Sequence, residues 1–181
     1  MSEARSGTRR YATRMDLVVL AGLQGSGKTT FYRARFAATH AHVSKDLFRH
    51  DRDKGRRQRH LVEAAAAEGL PVVVDNTNAR RADRAELVGL ARTLGLTPVL
   101  YWFPPDVKGS VARNARREGV ARVPNVAIFA TVRRLEAPDP SEGFAAVFEV
   151  APTAEGGFSV RARPELAARR GADERRPPSA T

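Results

Sequence analysis

The sequence predicts an α/β protein built on an open, mostly parallel five-stranded sheet with helices on both faces. Two observations lead there. Short apolar runs alternate with amphipathic stretches along the chain, the pattern of parallel strands joined by crossover helices. The first of those runs also breaks directly into a glycine-rich turn that opens a helix, "DLVVLAGLQGSGKTTF". A length of 181 residues suits one core rather than two.

Each element has its own warrant. Strands are expected at 16–21 (DLVVLA), 41–44 (AHVS), 71–75 (PVVVD), 97–103 (TPVLYWF) and 146–150 (AVFEV), mostly β-branched or aromatic and each placed after a turn or a helix end. Helices are expected at 28–39, 46–69, 80–94, 106–118 and 124–136, the second and third ending at Gly69 and Gly95 as C′ residues. Ligands of such a sheet bind at the carboxyl ends of its strands.

Gly22, Gly25, Ser26, Gly27, Lys28, Thr29 and Thr30 belong to the turn, which fits G-x-x-x-x-G-K-[ST] between a strand and a helix. In such a phosphate loop the glycines let successive N–H groups face a polyphosphate. Lys28 then reaches the β and γ oxygens, and the Thr29 hydroxyl ligates Mg²⁺. The following helix adds its positive end to the same anion. The dinucleotide pattern G-x-G-x-x-G fails, because Thr30 stands where its third glycine belongs. ATP or another nucleoside triphosphate, with Mg²⁺, is the expected donor.

Phosphoryl transfer also needs an acceptor oxygen, a group to take its proton and cations to spread the developing charge. In "HVSKDLFRH" Asp46 would project beside the loop, with Arg49 one helical turn later. That pair suits a base and a clamp on an acceptor carrying its own phosphate; it equally suits an i, i+3 salt bridge at a helix start. Asp75 ends the third strand in "VVVDNTN", placed to support Mg²⁺ through water, as Asp46 also is, or to orient the acceptor with Asn76. After the fourth strand, Arg113, Arg116, Arg117 and Arg122 read either as an arginine-rich lid over the triphosphate or as a solvated helix face, with Gly119 to Pro124 as a mobile hairpin. His40, His42, His50 and His60 show no metal or triad spacing, and Trp102 reads as core packing.

Charge and composition narrow the partners. The chain holds 31 Lys+Arg against 20 Asp+Glu, which favours polyanions, although only Lys28, Lys45, Lys54 and Lys108 are lysines and an arginine-rich coding bias gives the same total. Residues 1–14 read as a disordered basic arm, 15–160 as the folded domain and 161–181 as a disordered Arg/Pro-rich tail. The chain has no cysteine, which excludes thiolate chemistry and disulfides. No membrane span or signal peptide is legible, so a cytoplasmic location is expected.

With these residues in place the chain resembles the polynucleotide 5′-hydroxyl kinases, in particular the kinase domains of bacteriophage and animal end-healing enzymes. The likeness covers about residues 16–150 through "GLQGSGKTTF", "HVSKDLFR", "VVVDNTNARRADR", "ARNARREG" and "FATVRRLEAPDPSEGF". It implies a P-loop kinase fold and a tunnel with the triphosphate on one side and a 5′-hydroxyl end on the other. It further implies Asp46 as general base, Arg49 on the acceptor's 3′-adjacent phosphate, Asp75 on the acceptor side and Arg117 as the lid arginine. The D-x-D-G-T phosphatase signature of those enzymes is missing, so a phosphatase or ligase would have to be a separate protein. Two other readings share the loop: a kinase of a small molecule, nucleotide sugar or tRNA-linked hydroxyl, and a nucleic-acid-binding NTPase switch.

Overall fold

The computed structural model describes residues 15–168; the arm expected at 1–14 and the tail beyond 168 lie outside the described residues. The strands are β1 (Asp16–Ala21), β2 (Ala41–Val43), β3 (Val72–Asp75), β4 (Thr97–Trp102), β5 (Ala146–Pro152) and β6 (Phe158–Ala162). They form one sheet in the order β2-β3-β1-β4-β5-β6. The α-helices are α1 (Lys28–Arg35), α2 (Lys54–Ala67), α3 (Arg81–Thr93), α4 (Val107–Ala115) and α5 (Asn125–Arg134).

Alternation along β1 explains the three layers. Leu17, Val19 and Ala21 point to a core shared with Val62 and Ala65 of α2 and with Leu87, Val88 and Ala91 of α3. Val18 and Leu20 point the other way, to Phe31 and Tyr32 of α1. A strand buried on both faces must be apolar throughout, and "LVVLA" is. On the α1 side Phe31 is the centre of an aromatic group, with ring centroids 5.3 Å from Tyr101, 5.6 Å from Phe103 and 5.2 Å from Phe158.

The chain leaves β1 for β2, returns through β3 beside β1, and then crosses to β4 on the other side of β1. That reversal opens a crevice at the carboxyl end of β1. Register sets its rim, because Leu20 pairs with Asp75 and Ala21 with Trp102.

The sheet corrects three expectations. A sixth strand, β6, runs antiparallel to β5, with Pro152 opposite Phe158 and Phe148 opposite Ala162. The tail expected from residue 161 therefore begins inside a strand, and the described fold continues to Ala168, whose N–H donates to Phe144 O at 2.8 Å. The helix expected from 46 starts only at Lys54. Before it, Leu47 N–H donates to Ser44 O at 2.9 Å and Asp51 N–H to Phe48 O at 3.0 Å, so the chain turns three residues at a time. Asp51 and Asp53 reinforce this by taking the N–H groups of Asp53 and Arg56 on their side chains.

An ion pair lies inside the fold. Arg84 of α3 and Glu142 have side chains 0% and 3% exposed, and the guanidinium donates from Nε and Nη2 to the two carboxylate oxygens at 2.6 and 2.8 Å. Nη1 donates to the carbonyls of Asn78 and Ala79, and Glu142 also accepts the N–H of Asp139. Removing one partner strands the other without water. Glu142→Ala is expected to cost about 3–5 kcal/mol in urea unfolding, and a double replacement of Arg84 and Glu142 by apolar residues of similar volume to cost clearly less.

Candidate active site

The phosphate loop spans the gap between β1 and α1 and wraps its own lysine. Lys28 Nζ donates to Gly22 O at 3.0 Å, to Leu23 O at 2.6 Å and to Ser26 Oγ at 3.3 Å. Burial lowers its pKa from 10.5 to about 8; Asp75 and Asp46 oppose that shift and Arg117 adds to it. The loop lysine thus feels the strand-end acid, the acid after β2 and the arginine after α4 together.

Two glycines are required for reasons of contact. Gly25 has φ +75°, and a Cβ there would lie 2.5 Å from Ser110 O, because α4 packs against the loop. Gly27 caps α1 at φ +103°, with Phe158 of β6 lying 3.1 Å from where its Cβ would be. Thr30 is exposed on the first turn of α1.

Thr29 Oγ1 donates to Asp75 Oδ2 at 2.7 Å. Two of the three residues singled out for Mg²⁺, Thr29 and Asp75, therefore meet as a hydroxyl backed by a carboxylate, a donor set that fits a hard cation. Exposed Asp46 does not join them by any contact among the described residues. His42 joins them: its Nε2 lies 3.2 Å from the same Asp75 oxygen, and its ring stacks on Tyr32 with centroids 3.9 Å apart and planes 13° apart. An ionised carboxylate only accepts, so Nε2 carries the proton. Spacing did not reveal His42; its position in β2, paired with β3 just before Asp75, was the signal.

The acceptor-side residues divide. Asp46 is exposed. Arg49, also exposed, donates from Nε to Asp46 main-chain O at 3.4 Å, so this contact leaves the carboxylate untied. Asn76 has a framework contact on each end of its amide, accepting Lys45 N–H at 2.8 Å and donating to Gln58 Oε1 at 2.7 Å.

The arginines expected to form a lid also differ from one another. Arg113 braces the loop, donating from Nε to Gly25 O at 2.6 Å and from Nη2 to Asp106 at 3.2 Å. Arg117 donates to Ala121 O at 3.4 Å within its own segment. The segment expected as a mobile hairpin contains a 3₁₀ turn at Gly119–Ala121. Buried Asn114 holds its far end, donating to Val123 O at 2.7 Å and accepting Val123 N–H at 3.1 Å. Gln24 ties the loop to α5 by donating to Thr131 Oγ1 at 3.0 Å, while Gln24 Oε1 and Ser110 Oγ are buried without a protein partner, polar capacity that fits a charged ligand at the loop.

A loop of this geometry on an open, mostly parallel sheet defines a P-loop kinase-like fold. The chain belongs to the AAA domain family, whose model matches residues 17–138. Its structure is similar to that of Kti12 from Chaetomium thermophilum in complex with ADP-AlF3, with TM-score 0.55, 20% identity, and 77% of this chain and 92% of that one covered. A fungal RNA kinase matches with TM-score 0.57 and 15% identity over 75% of this chain and 38% of that one. A sugar kinase from Janibacter sp. matches with TM-score 0.52 and 22% identity over 75% of this chain and 85% of that one. Among the described residues no helix is long and apolar enough to cross a membrane.

The Lys28 shift has a measurable sign. Between about pH 8 and pH 10.5 the unfolded chain holds the lysine proton and the folded chain releases it, so stability without nucleotide rises with pH across that window. The full span corresponds to about 3 kcal/mol. Urea unfolding across the window is expected to show this rise in the wild type and to lose it in Lys28→Met.

Proposed function

We propose that the protein transfers the γ-phosphate of ATP to the 5′-hydroxyl end of a nucleic-acid strand. The supporting observation is the charge gathered at the loop: Thr29 donates to the Asp75 carboxylate at 2.7 Å, and Asp75, Asp46 and Arg117 all act on Lys28. A switch that only hydrolyses needs no exposed acid and arginine beside the loop. The fold likeness to an RNA kinase and the excess of 31 basic over 20 acidic residues agree with a nucleic-acid acceptor.

In this reading the loop N–H groups and Lys28 would hold the β and γ phosphates. Thr29, backed by Asp75, would hold Mg²⁺, which supplies charge neutralisation on the phosphates. His42 keeps Asp75 turned toward Thr29. Asp46 accepts the proton of the acceptor hydroxyl as that oxygen bonds to the γ-phosphorus, while the bond to the β-phosphate oxygen breaks and ADP leaves. Arg49 meets the phosphate 3′ of the reacting nucleotide, and Arg117 offsets charge from the lid.

Incubation with γ-labelled ATP and oligonucleotides ending in either a 5′-hydroxyl or a 5′-phosphate tests this directly. Label is expected only on the hydroxyl end. Label on a sugar or nucleoside but on no oligonucleotide would favour the small-molecule kinase, and hydrolysis without labelled acceptor would favour the switch. Asp46→Asn is expected to slow transfer by about 10²–10⁴-fold with nucleotide affinity near wild type. Arg49→Ala should raise KM chiefly for acceptors that carry a 3′-adjacent phosphate, read from steady-state kinetics on acceptors with and without it.

A further inference from the structure

Away from the phosphate loop, α2 and α3 leave a groove of about 320 Å³ between them. Lys45, Arg56, Gln58 and Arg59 line one side, and Glu86 and Leu90 lie among its other lining residues. Three cations against one acid make it a basic channel. It is also joined to the site, since the Asn76 side chain, one residue beyond Asp75, bonds both the Lys45 N–H and Gln58. Lys45 itself precedes Asp46.

The charge on α2 is placed against the helix's own interest. Its first turn holds Lys54, Arg56 and Arg57 with no acid, at the end where the helix dipole is positive. Asp53 caps that end, accepting the Arg56 N–H at 2.9 Å, and Asp51 is used by the Asp53 N–H. Arg56 and Arg59 stand three residues apart, on one face of the helix. Arg56 keeps 84% of its side chain exposed, its only ion pair among the described residues being a solvent-facing one of 3.8 Å with Asp53. Asp53 offsets only part of the charge that Lys54, Arg56 and Arg57 crowd at this positive helix end, and exposed, spaced cations suit a chain of phosphates better than a single small one.

We infer that this groove binds the acceptor strand beyond its reacting end, with Lys45, Arg56 and Arg59 on successive phosphates. The inference rests on the nucleic-acid reading of the site. It makes the enzyme sensitive to acceptor length, because a nucleoside 3′-phosphate ends before reaching the groove.

The test pairs Arg56→Ala/Arg59→Ala with a control of equal charge loss on the far face of the sheet, Arg33→Ala/Arg35→Ala. Both pairs are exposed. Binding of a fluorescent single-stranded 5′-hydroxyl 12-mer, without nucleotide, is followed by anisotropy across a salt series. The groove double variant is expected to bind about tenfold or more weaker and to lose roughly 1.4 from the slope of log affinity against log salt, as two phosphate contacts vanish. The control keeps wild-type affinity and slope. Equal weakening in both variants, no weakening in either, or no binding by the wild type overturns the groove. The proposed activity fails separately: a wild type that binds through the groove yet labels no 5′-hydroxyl end would sink the kinase reading and leave the groove standing. Labelling of the 12-mer with an unchanged KM in the groove variant would do the reverse.

Discussion

Lys28 keeps its ammonium inside the loop that carries it, on oxygens of Gly22, Leu23 and Ser26, and removal of that charge from water pulls its pKa to about 8. A buried cation is tolerated only where the surroundings compensate. Here the compensation is spread over the fold. Asp75 arrives by the register of β3 on β1, Asp46 by the turn after β2, and the loop is braced from behind by Arg113 of α4 and from the side by Thr131 of α5. A polyanion is the natural partner for a charge held in this way.

Much of this was legible in the sequence. The phosphate loop was, because glycine spacing between a strand and a helix has few other meanings, and Asp75 was, because an acid closing an apolar strand marks a carboxyl edge. His42 was not: its importance depends on β2 pairing with β3, a contact between distant residues that no local spacing records. β6 escaped because an edge strand needs little apolar content; Phe158 and Val160 pack on the core, while Ser159 and Arg161 face water. Residues 46–52 have a helical composition and still form turns, because the strong N-cap signal lies later, at Asp53, whose side chain takes the Arg56 N–H while Asp51 takes the Asp53 N–H.

The motifs that carried the family likeness also differ in kind. "ARRADR" and "DPSEGF" meet through Arg84 and Glu142, away from the loop lysine and inside the core. These two residues form a buried pair in which loss of one partner strands the other's charge. "GKT" and "VVVD" meet through Thr29 and Asp75 at the phosphate loop. One set of motifs thus meets inside the core and the other at the phosphate loop.

The family match ends at residue 138, before Glu142, β5 and β6. Yet Phe158 covers Gly27 at the helix start of the phosphate loop, and Glu142 holds Arg84. The unit that matches is therefore shorter than the unit that folds. Anyone dividing this chain for expression, fusion or shuffling has to cut after Ala168, since a boundary placed at the end of the match would open the nucleotide site from behind.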